Sequence, residues 1–172
     1  MTEIESGESS EVVLDGTTIE EDGIFAEGGA AKLLTDYWLV KKQESPTSRP
    51  QWSQFEMMDI YTIAPRVIIK DVLKGGEEFR NRYWGTQMTN AFHIDATGKI
   101  TREYLSDEFT RQGLNLLRMV AQDVRPVRVW GRARFFSHTD HKSFEAAFVP
   151  LFNEEGRPTQ IVSAFNFEFK YA

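Results

Sequence analysis

The stretch that decides the fold is FRNRYWGTQMTNAFHIDATGKI, residues 79–100. It begins with β-forming residues up to Trp84, which indicates a strand. Gly85 ends that pattern. Residues 86–92 open with threonine, a residue type that often begins a helix, and continue with helical spacing. A turn follows at residues 97–99. This stretch therefore predicts a strand that passes directly into short helices.

The residues before this stretch predict its partner strand. Residues 67–73, VIIKDVL, are rich in β-branched side chains, and a Gly-Gly turn separates them from residues 79–84. Two such runs around a glycine turn predict a β-hairpin. Residues 51–65 have partial helical spacing and end at a proline, so short helical turns are expected there.

The rest of the chain adds two longer helices and three further strands. Residues 30–42 and 106–125 place apolar side chains at steps of three and four, which predicts amphipathic helices. After Pro126, three β-rich runs separated by turn-rich segments predict an antiparallel meander. The expected fold class is α+β, with a five-stranded antiparallel sheet, helices on one face and an N-terminal amphipathic helix, all within one domain over residues 30–172.

Composition excludes several classes of protein. The 172 residues suit one domain, and 13 Phe and 4 Trp allow a large aromatic core. No apolar run approaches the ~20 residues that span a bilayer, so no membrane association is expected. The chain has no Cys, which excludes disulfides, thiolate metal sites and cysteine nucleophiles. A cytoplasmic location is expected, with which the absence of Cys is compatible.

The net charge of −6 is unevenly distributed along the chain. Residues 1–31 contain nine acidic and no basic side chains, while the remainder contains 20 basic and 17 acidic ones, so −9 and +3 give −6. An acidic segment with few apolar residues buries little surface, and residues 1–29 are therefore expected to be flexible. Two roles stay open for them, a solvating tail and an interaction segment.

One strand carries a row of arginines. Arg128, Arg132 and Arg134 alternate with small or apolar residues, and Trp130 lies on the arginine side. One interpretation is an exposed face on which arginine stems cover Trp130. The other is a surface that binds an acidic partner or the chain's own acidic segment. Nucleic acid is not expected, because the chain is acidic overall and has no other basic cluster.

Motifs for metal binding and catalysis are weak. His138, Asp140 and His141 lie close together, but a zinc site needs three or four converging ligands, and no further His or Cys is near. A solvated hairpin loop is the preferred interpretation, and no metal site is predicted. No nucleophile elbow, phosphate loop or carboxylate pair is recognisable, so no catalytic residue is predicted and the chain is not expected to be an enzyme.

The order of elements, together with several short motifs, resembles PAS domains and in detail one bacterial subfamily of single PAS domains. That subfamily has an aromatic YW helix, then DI…LP, FRYRLVGT, fGrDlTG and LPL. The corresponding residues are Tyr37-Trp38, Asp59-Ile60 with Ala64-Pro65, FRNRYWGT at 79–86, FHIDATG at 92–98 and VPLF at 149–152. The resemblance covers roughly residues 30–170. The subfamily usually has Gly where this chain has His93. Either the loop geometry differs or His93 has a particular role, and the first explanation is preferred.

The resemblance implies a function as well as a fold. PAS domains are sensory or regulatory modules of signal transduction that bind a small molecule, dock on a protein partner, or both. The resemblance also implies a pocket between the sheet and the helices, no output domain, and a homodimer or a protein partner. The candidate pocket residues, any of which could instead be plain core, are Tyr83, Trp84, Phe92, His93, Trp130, Phe148 and Phe165. The candidate contacts with a partner or a second copy are Leu33, Leu34, Tyr37 and Trp38.

The ligand is not identified by the sequence. The covalent flavin and hydroxycinnamate chromophores of PAS domains require a Cys and are excluded. Haem-binding PAS domains commonly use a His on the long helix, and residues 106–125 contain none, which argues against haem. The alternative is a small-molecule enzyme of the ketosteroid-isomerase-like cone fold, in which a buried Asp or His acts as general base. Its helices usually precede most of its strands, unlike the order expected here.

Overall fold

An antiparallel sheet with helices on both faces forms the molecule. The computed structural model describes residues 11–19, 29–105, 107–134 and 142–169. Within them the strands are β1 (Glu11–Ile19), β2 (Val67–Leu73), β3 (Glu78–Trp84), β4 (Val127–Arg134), β5 (Lys142–Phe152) and β6 (Pro158–Phe169). The helices are α1 (Gly29–Glu44), α2 (Thr86–Phe92) and α3 (Asp107–Gln122). Short 3-10 helices occupy Trp52–Gln54, Met57–Arg66, Lys74–Gly76 and Thr101–Glu103.

The sheet confirms the predicted fold class. Its order is β1-β4-β5-β6-β2-β3, and each neighbouring pair is antiparallel. The predicted hairpin is β2–β3, and the predicted meander is β4–β5–β6. These five strands, interrupted by helices between β3 and β4, form the PAS-like α+β arrangement that was expected.

An additional strand, β1, was not predicted. It pairs along the outer edge of β4, with Glu11 opposite Arg134 and Ile19 opposite Val127. Part of the acidic N-terminal segment therefore does associate with the arginine-bearing strand, but through backbone pairing at its edge. Of the remaining segment expected to be flexible, Gly29 begins α1, and residues 1–10 and 20–28 lie outside the described residues.

Both faces of the sheet are covered. Successive side chains of each strand point to opposite sides, so each face presents its own set of side chains. The inner face, which includes Ile68, Val129, Phe148 and Phe165, packs against α2 and α3. The outer face, which includes Ile69, Val149, Val162 and Ala164, packs against α1 and Met57–Arg66. The molecule thus has two apolar layers with the sheet between them.

Helix α1 is fixed to the outer face by burial and hydrogen bonds. Leu34 and Trp38 are fully buried, and the Trp38 indole Nε1 donates to the Pro150 carbonyl at 2.8 Å. The Asn166 side-chain oxygen accepts from the backbone N–H of Ala30 at 2.7 Å, which satisfies one free donor at the start of the helix. Leu34 and Trp38, proposed from the sequence as partner contacts, are therefore used within the chain.

The junction between β3 and α2 depends on close backbone packing. The N–H of Gly85 donates to the Val67 carbonyl at 2.9 Å. A Cβ atom at Gly85 would lie 2.2 Å from the Pro65 carbonyl oxygen, so no larger residue fits without a shift. The N-cap of α2 is Gly85, and Thr86 is its first helical residue, one position later than its cap-forming type suggests.

Helix α3 crosses the inner face between β3 and β4. Its Leu117 and Val120 are buried against the sheet, while Asn115 is exposed. It has 16 residues, the same length as α1. In the described part of the chain, no helix combines the length and apolar character that crossing a bilayer requires.

Candidate functional site

A cavity of about 140 Å³ lies between the inner face of the sheet and a wall formed by α3 and residues 101–105. Its apolar lining includes Ile68, Leu117, Val129, Phe144, Phe148 and Phe165. Its polar lining side chains are Lys70, Thr101, Tyr104, Gln112 and Ser163. The β3–α2 junction places the Trp84 and Phe92 side chains at the cavity as well. The pocket that the resemblance implies therefore has a physical counterpart between sheet and helix.

Four of the seven pocket candidates line this cavity, and three do not. The four are Trp84, Phe92, Phe148 and Phe165. The three that the structure places elsewhere are Tyr83, His93 and Trp130.

Tyr83 lies on the outer face because β3 is irregular. The pairing of β2 with β3 shifts register between Ile69 and Lys70, which leaves Arg82 without an opposite residue. Tyr83 therefore packs with the outer layer, and its hydroxyl donates to the Ala64 carbonyl at 2.9 Å. A β-bulge of this kind changes which side chains face the core.

Trp130 also lies on the outer side, where Arg128 covers it. The Arg128 guanidinium carbon is 4.9 Å from the Trp130 ring centre, and its Nε donates to Glu145 Oε2 at 2.7 Å. This agrees with the interpretation that arginine stems cover the indole. The side chains of Arg132 and Arg134 lie outside the described set.

His93 ends α2 and is exposed. Its φ of 57° and ψ of 26° are left-handed, a conformation that Gly adopts without steric cost. The backbone here thus has the geometry that suits the Gly of the resembling subfamily. The different loop geometry preferred from the sequence is not seen at this residue.

Aromatic rings make two walls of the cavity. Trp84 meets Phe92 edge-to-face with ring centres 5.2 Å apart, and Tyr104 likewise at 5.7 Å. On the sheet side, the Phe165 ring lies 5.9 Å from the Phe148 ring. Such pairs hold each ring in a defined orientation, so both walls are pre-formed.

None of the polar lining residues was predicted from the sequence, and Lys70 is the charged one among them. It is 7% exposed on the inner face of β2. Its Nζ lies 2.5 Å from Asn81 Oδ1 and 2.9 Å from the Tyr104 hydroxyl. The signal was present in the alternation of β2, since Ile68, Lys70 and Val72 share the side that packs against α3.

Two further polar groups at the cavity have no partner within the described part of the chain. These are the Trp84 indole Nε1 and the Thr101 hydroxyl, both buried. Buried polar groups in proteins are nearly always hydrogen-bonded, to the protein, to water or to a bound molecule. Both unpaired groups belong to residues that line the cavity.

The size of the cavity limits what it can hold. An apolar cavity of roughly 150 Å³ accepts a molecule such as benzene, whereas pockets for drug-sized ligands begin near ~300 Å³. Haem or a flavin would need large displacements of the walls. Leu105, Gln112 and Leu116, which line the cavity, are partly exposed to solvent.

Metal ligands are not grouped in the described residues. None of the described ranges contains a cluster of three or more His, Cys, Asp or Glu side chains suited to a metal ion. His138, Asp140 and His141 lie outside those ranges.

Comparison with known proteins adds no relative. No protein-family model matches the chain, and a search of the curated proteins finds no match.

Proposed function

We propose that the chain is a PAS-type sensory or regulatory module of signal transduction that binds a small molecule in the cavity beneath α3. The observation that carries this proposal is the combination of a pre-formed apolar cavity with buried donors that lack acceptors. The resemblance supports it independently, because it implies a pocket at this place in the fold. A cytoplasmic location and a bacterial source are part of the same proposal.

The energetics favour a binding site over a packing defect. Leaving a buried donor unpaired costs about 1–3 kcal/mol, and Trp84 and Thr101 each contribute one such group. An apolar void beside them adds the loss of dispersion contacts. A molecule that fills the cavity and accepts a hydrogen bond offsets both costs at once.

Helix α3 is the element through which binding is transmitted in this proposal. It forms one wall of the cavity through Gly113, Leu116 and Leu117, and its other side is exposed. A ligand that contacts α3 differently in two positions of the helix shifts their populations. In the docking part of the proposal, a protein partner or a second copy of the chain then binds one position of α3 in preference to the other.

The rival enzyme is less well supported. The cone-fold enzyme calls for a general base at the cavity, commonly a carboxylate whose pKa burial has shifted. Among the described lining residues of this cavity, none is Asp, Glu or His. The long helix also lies between β3 and β4, whereas the cone fold usually places its helices before most of its strands.

Native mass spectrometry of freshly purified protein, followed by thermal unfolding with added toluene or benzamide, tests the proposal. A ligand at about 100 times its Kd adds roughly 2.7 kcal/mol, so we expect Tm to rise by roughly 5–10 °C. Gly113→Leu should fill the cavity and abolish the rise, while Asn115→Leu on the exposed side of the same helix should retain it. A Tm that no probe changes, with no adduct in the mass spectrum, contradicts the proposal.

A further inference from the structure

Every polar side chain around the cavity can donate a hydrogen bond, and one of them carries a charge. Lys70, Thr101, Tyr104 and the Trp84 indole can all donate hydrogen bonds. No lining residue in the described part of the chain is a carboxylate. The site therefore offers donors and one positive charge, and it lacks the negative partner that such a group requires.

Lys70 has spare hydrogen-bonding capacity. An ammonium group has three N–H donors, and two of them are directed to Asn81 Oδ1 and the Tyr104 hydroxyl. Both acceptors are neutral. No carboxylate of the described residues lies within 4.0 Å of Lys70 Nζ. A buried ammonium without a counterion is strongly unfavourable, so one donor and one positive charge remain to be matched.

Tyr104 and Thr101 extend the same set of donors. The Tyr104 oxygen accepts from Lys70, which leaves its own proton without an acceptor among the described residues. The Thr101 hydroxyl is buried three residues earlier on the same 3-10 turn. Tyr104 also packs edge-to-face on Trp84, whose Nε1 is unpaired. Lys70 Nζ and the Tyr104 hydroxyl lie 2.9 Å apart, so one small anionic group at the cavity can accept from both.

The rest of the cavity sets the body of the ligand. Phe144, Phe148, Phe165, Leu117 and Val129 are apolar and would desolvate a second charge without a partner. A volume of about 140 Å³ admits roughly six to nine non-hydrogen atoms, judged from cavities that accept benzene. The body must therefore be aromatic or branched aliphatic, and the molecule must carry one charge.

We infer that the cavity binds a small monocarboxylic acid whose carboxylate accepts from Lys70 Nζ and whose apolar body lies among the phenylalanines. This inference rests on the proposed function and names its ligand class. Lys70 acts as the charge partner, and Asn81 and Tyr104 position its ammonium group. Tyr104, whose own proton has no acceptor among the described residues, is the neutral donor available to the second carboxylate oxygen.

Isothermal titration with matched acid and amide pairs tests the inference. The probes are isobutyrate, isovalerate and benzoate, each compared with its amide, which has the same shape and no charge. We expect at least one acid to bind the wild-type chain at least 10-fold more tightly than its amide, because hydrogen bonds to charged groups are among the stronger ones. Rising salt should reduce the preference for the acid only slightly, because the pair of Lys70 and the carboxylate is buried.

Three variants decide where the charge is recognised. Lys70→Met keeps an unbranched side chain that is one atom shorter and has no charge, and it should reduce the acid-over-amide preference to about 2-fold or less while amide binding persists. Lys32→Met removes an exposed lysine that pairs with Asp36 on α1, and it should leave the preference unchanged. Asn81→Asp gives Lys70 a permanent carboxylate partner and should also abolish the preference, so it serves if Lys70→Met does not fold.

The outcomes separate the inference from the proposed function. Binding of the amides with equal or weaker binding of every acid overturns the carboxylate inference and leaves the cavity as a neutral ligand site. A preference for the acid that survives in both Lys70→Met and Asn81→Asp also overturns it. Absence of binding by all acids, all amides and toluene overturns the proposed function itself.

Discussion

Single residues of this chain have properties that their neighbours along the sequence do not reveal. Tyr37 is an example. Its hydroxyl donates to Asp59 Oδ2 at 2.7 Å and accepts from the Glu56 N–H at 3.1 Å. Burial, followed by the nearby Asp59 carboxylate, raises the pKa of Tyr37 from 10.0 to about 12, although the Glu56 backbone hydrogen bond acts in the opposite direction. The tyrosine thus fixes α1 to the 3-10 segment Met57–Arg66.

The Tyr37 pKa predicts how stability depends on alkaline pH. The folded-state pKa lies above the unfolded value, so the neutral phenol stabilises the fold fully below pH 10. That contribution is lost as pH rises from 10 through about 12. Tyr37→Phe should remove a phenolate step near pH 12 from an absorbance titration and flatten the decline of stability between those pH values. A variant that keeps its step near pH 12 contradicts this assignment.

Lys70 shows the limit of prediction at the residue scale. Alternation places it on the side of β2 that packs against α3, but a lysine near a predicted hairpin turn is ordinarily expected to be exposed to solvent. The prediction that Tyr83 and Trp130 line the pocket was wrong for a different reason. Both faces of the sheet are covered, so an aromatic side chain that is expected to pack on the sheet can belong to either layer. A bulge at Arg82 cannot be read from the residues, because it depends on the register with β2.

At the scale of elements, the passage from β3 to α2 is fixed by contact and not by backbone conformation. Gly85 has an ordinary φ of −65°, which any residue can adopt. The need for Gly comes from the Pro65 and Ala64 carbonyl oxygens, which would lie 2.2 and 2.7 Å from an added Cβ. The absence of a side chain at Gly85 therefore allows the 3-10 segment Met57–Arg66 and the end of β3 to pack in direct contact.

Gly85→Ala should destabilise the fold by about 3 kcal/mol, since overpacking against backbone can be relieved only by moving both elements. Gly98→Ala is the matched control. It has φ of 79° with nothing within 4 Å of an added Cβ, so only the left-handed conformation opposes it, at about 1 kcal/mol. Urea unfolding measures both. Equal losses in the two variants would show that contact at Gly85 is unimportant.

Helix α1 gives a second test at this scale. Trp38→Ala should cost about 3–5 kcal/mol, because a fully buried indole and its hydrogen bond to Pro150 are lost. Leu33→Asp should cost about 1 kcal/mol, because Leu33 is 37% exposed and Asp is a poorer helix former than Leu. If α1 is also a dimer contact, Leu33→Asp should weaken self-association in ultracentrifugation without unfolding the chain. Self-association unchanged by Leu33→Asp would remove α1 from the dimer proposal.

The whole molecule is a sheet between two apolar layers, and periodicity was sufficient to predict its class. Hairpin and meander followed from β-rich runs separated by turns. Strand β1 was missed because its charged surroundings outweighed the β-forming residues Val12, Val13 and Ile19. The cavity could not be predicted from periodicity, and only the family resemblance implied a pocket between sheet and helices. Whether Phe148 and Phe165 fill a core or line a space depends on how closely α3 approaches the sheet, and that distance is set by tertiary packing.

Removing residues 1–28 should leave the fold intact but expose the edge of β4. That edge then presents unpaired backbone groups, and the net charge changes from −6 to +3 because nine acidic side chains are lost. We expect the truncated chain to self-associate more strongly in ultracentrifugation while retaining its circular dichroism spectrum. A truncated chain that associates no more than the full one would show that β1 does not protect this edge.

The most direct test of the account is heteronuclear NMR of the tryptophan indole N–H signals during titration with benzoate and benzamide. The chain has four Trp, and Trp84→Phe identifies the signal of Trp84. We predict a saturable shift of that signal. The signal of the Trp38 indole, which donates a hydrogen bond to the Pro150 carbonyl on the outer face, should not shift. A Trp84 signal unchanged by both compounds in the folded protein, or all four signals shifting alike, would contradict a ligand site beneath α3.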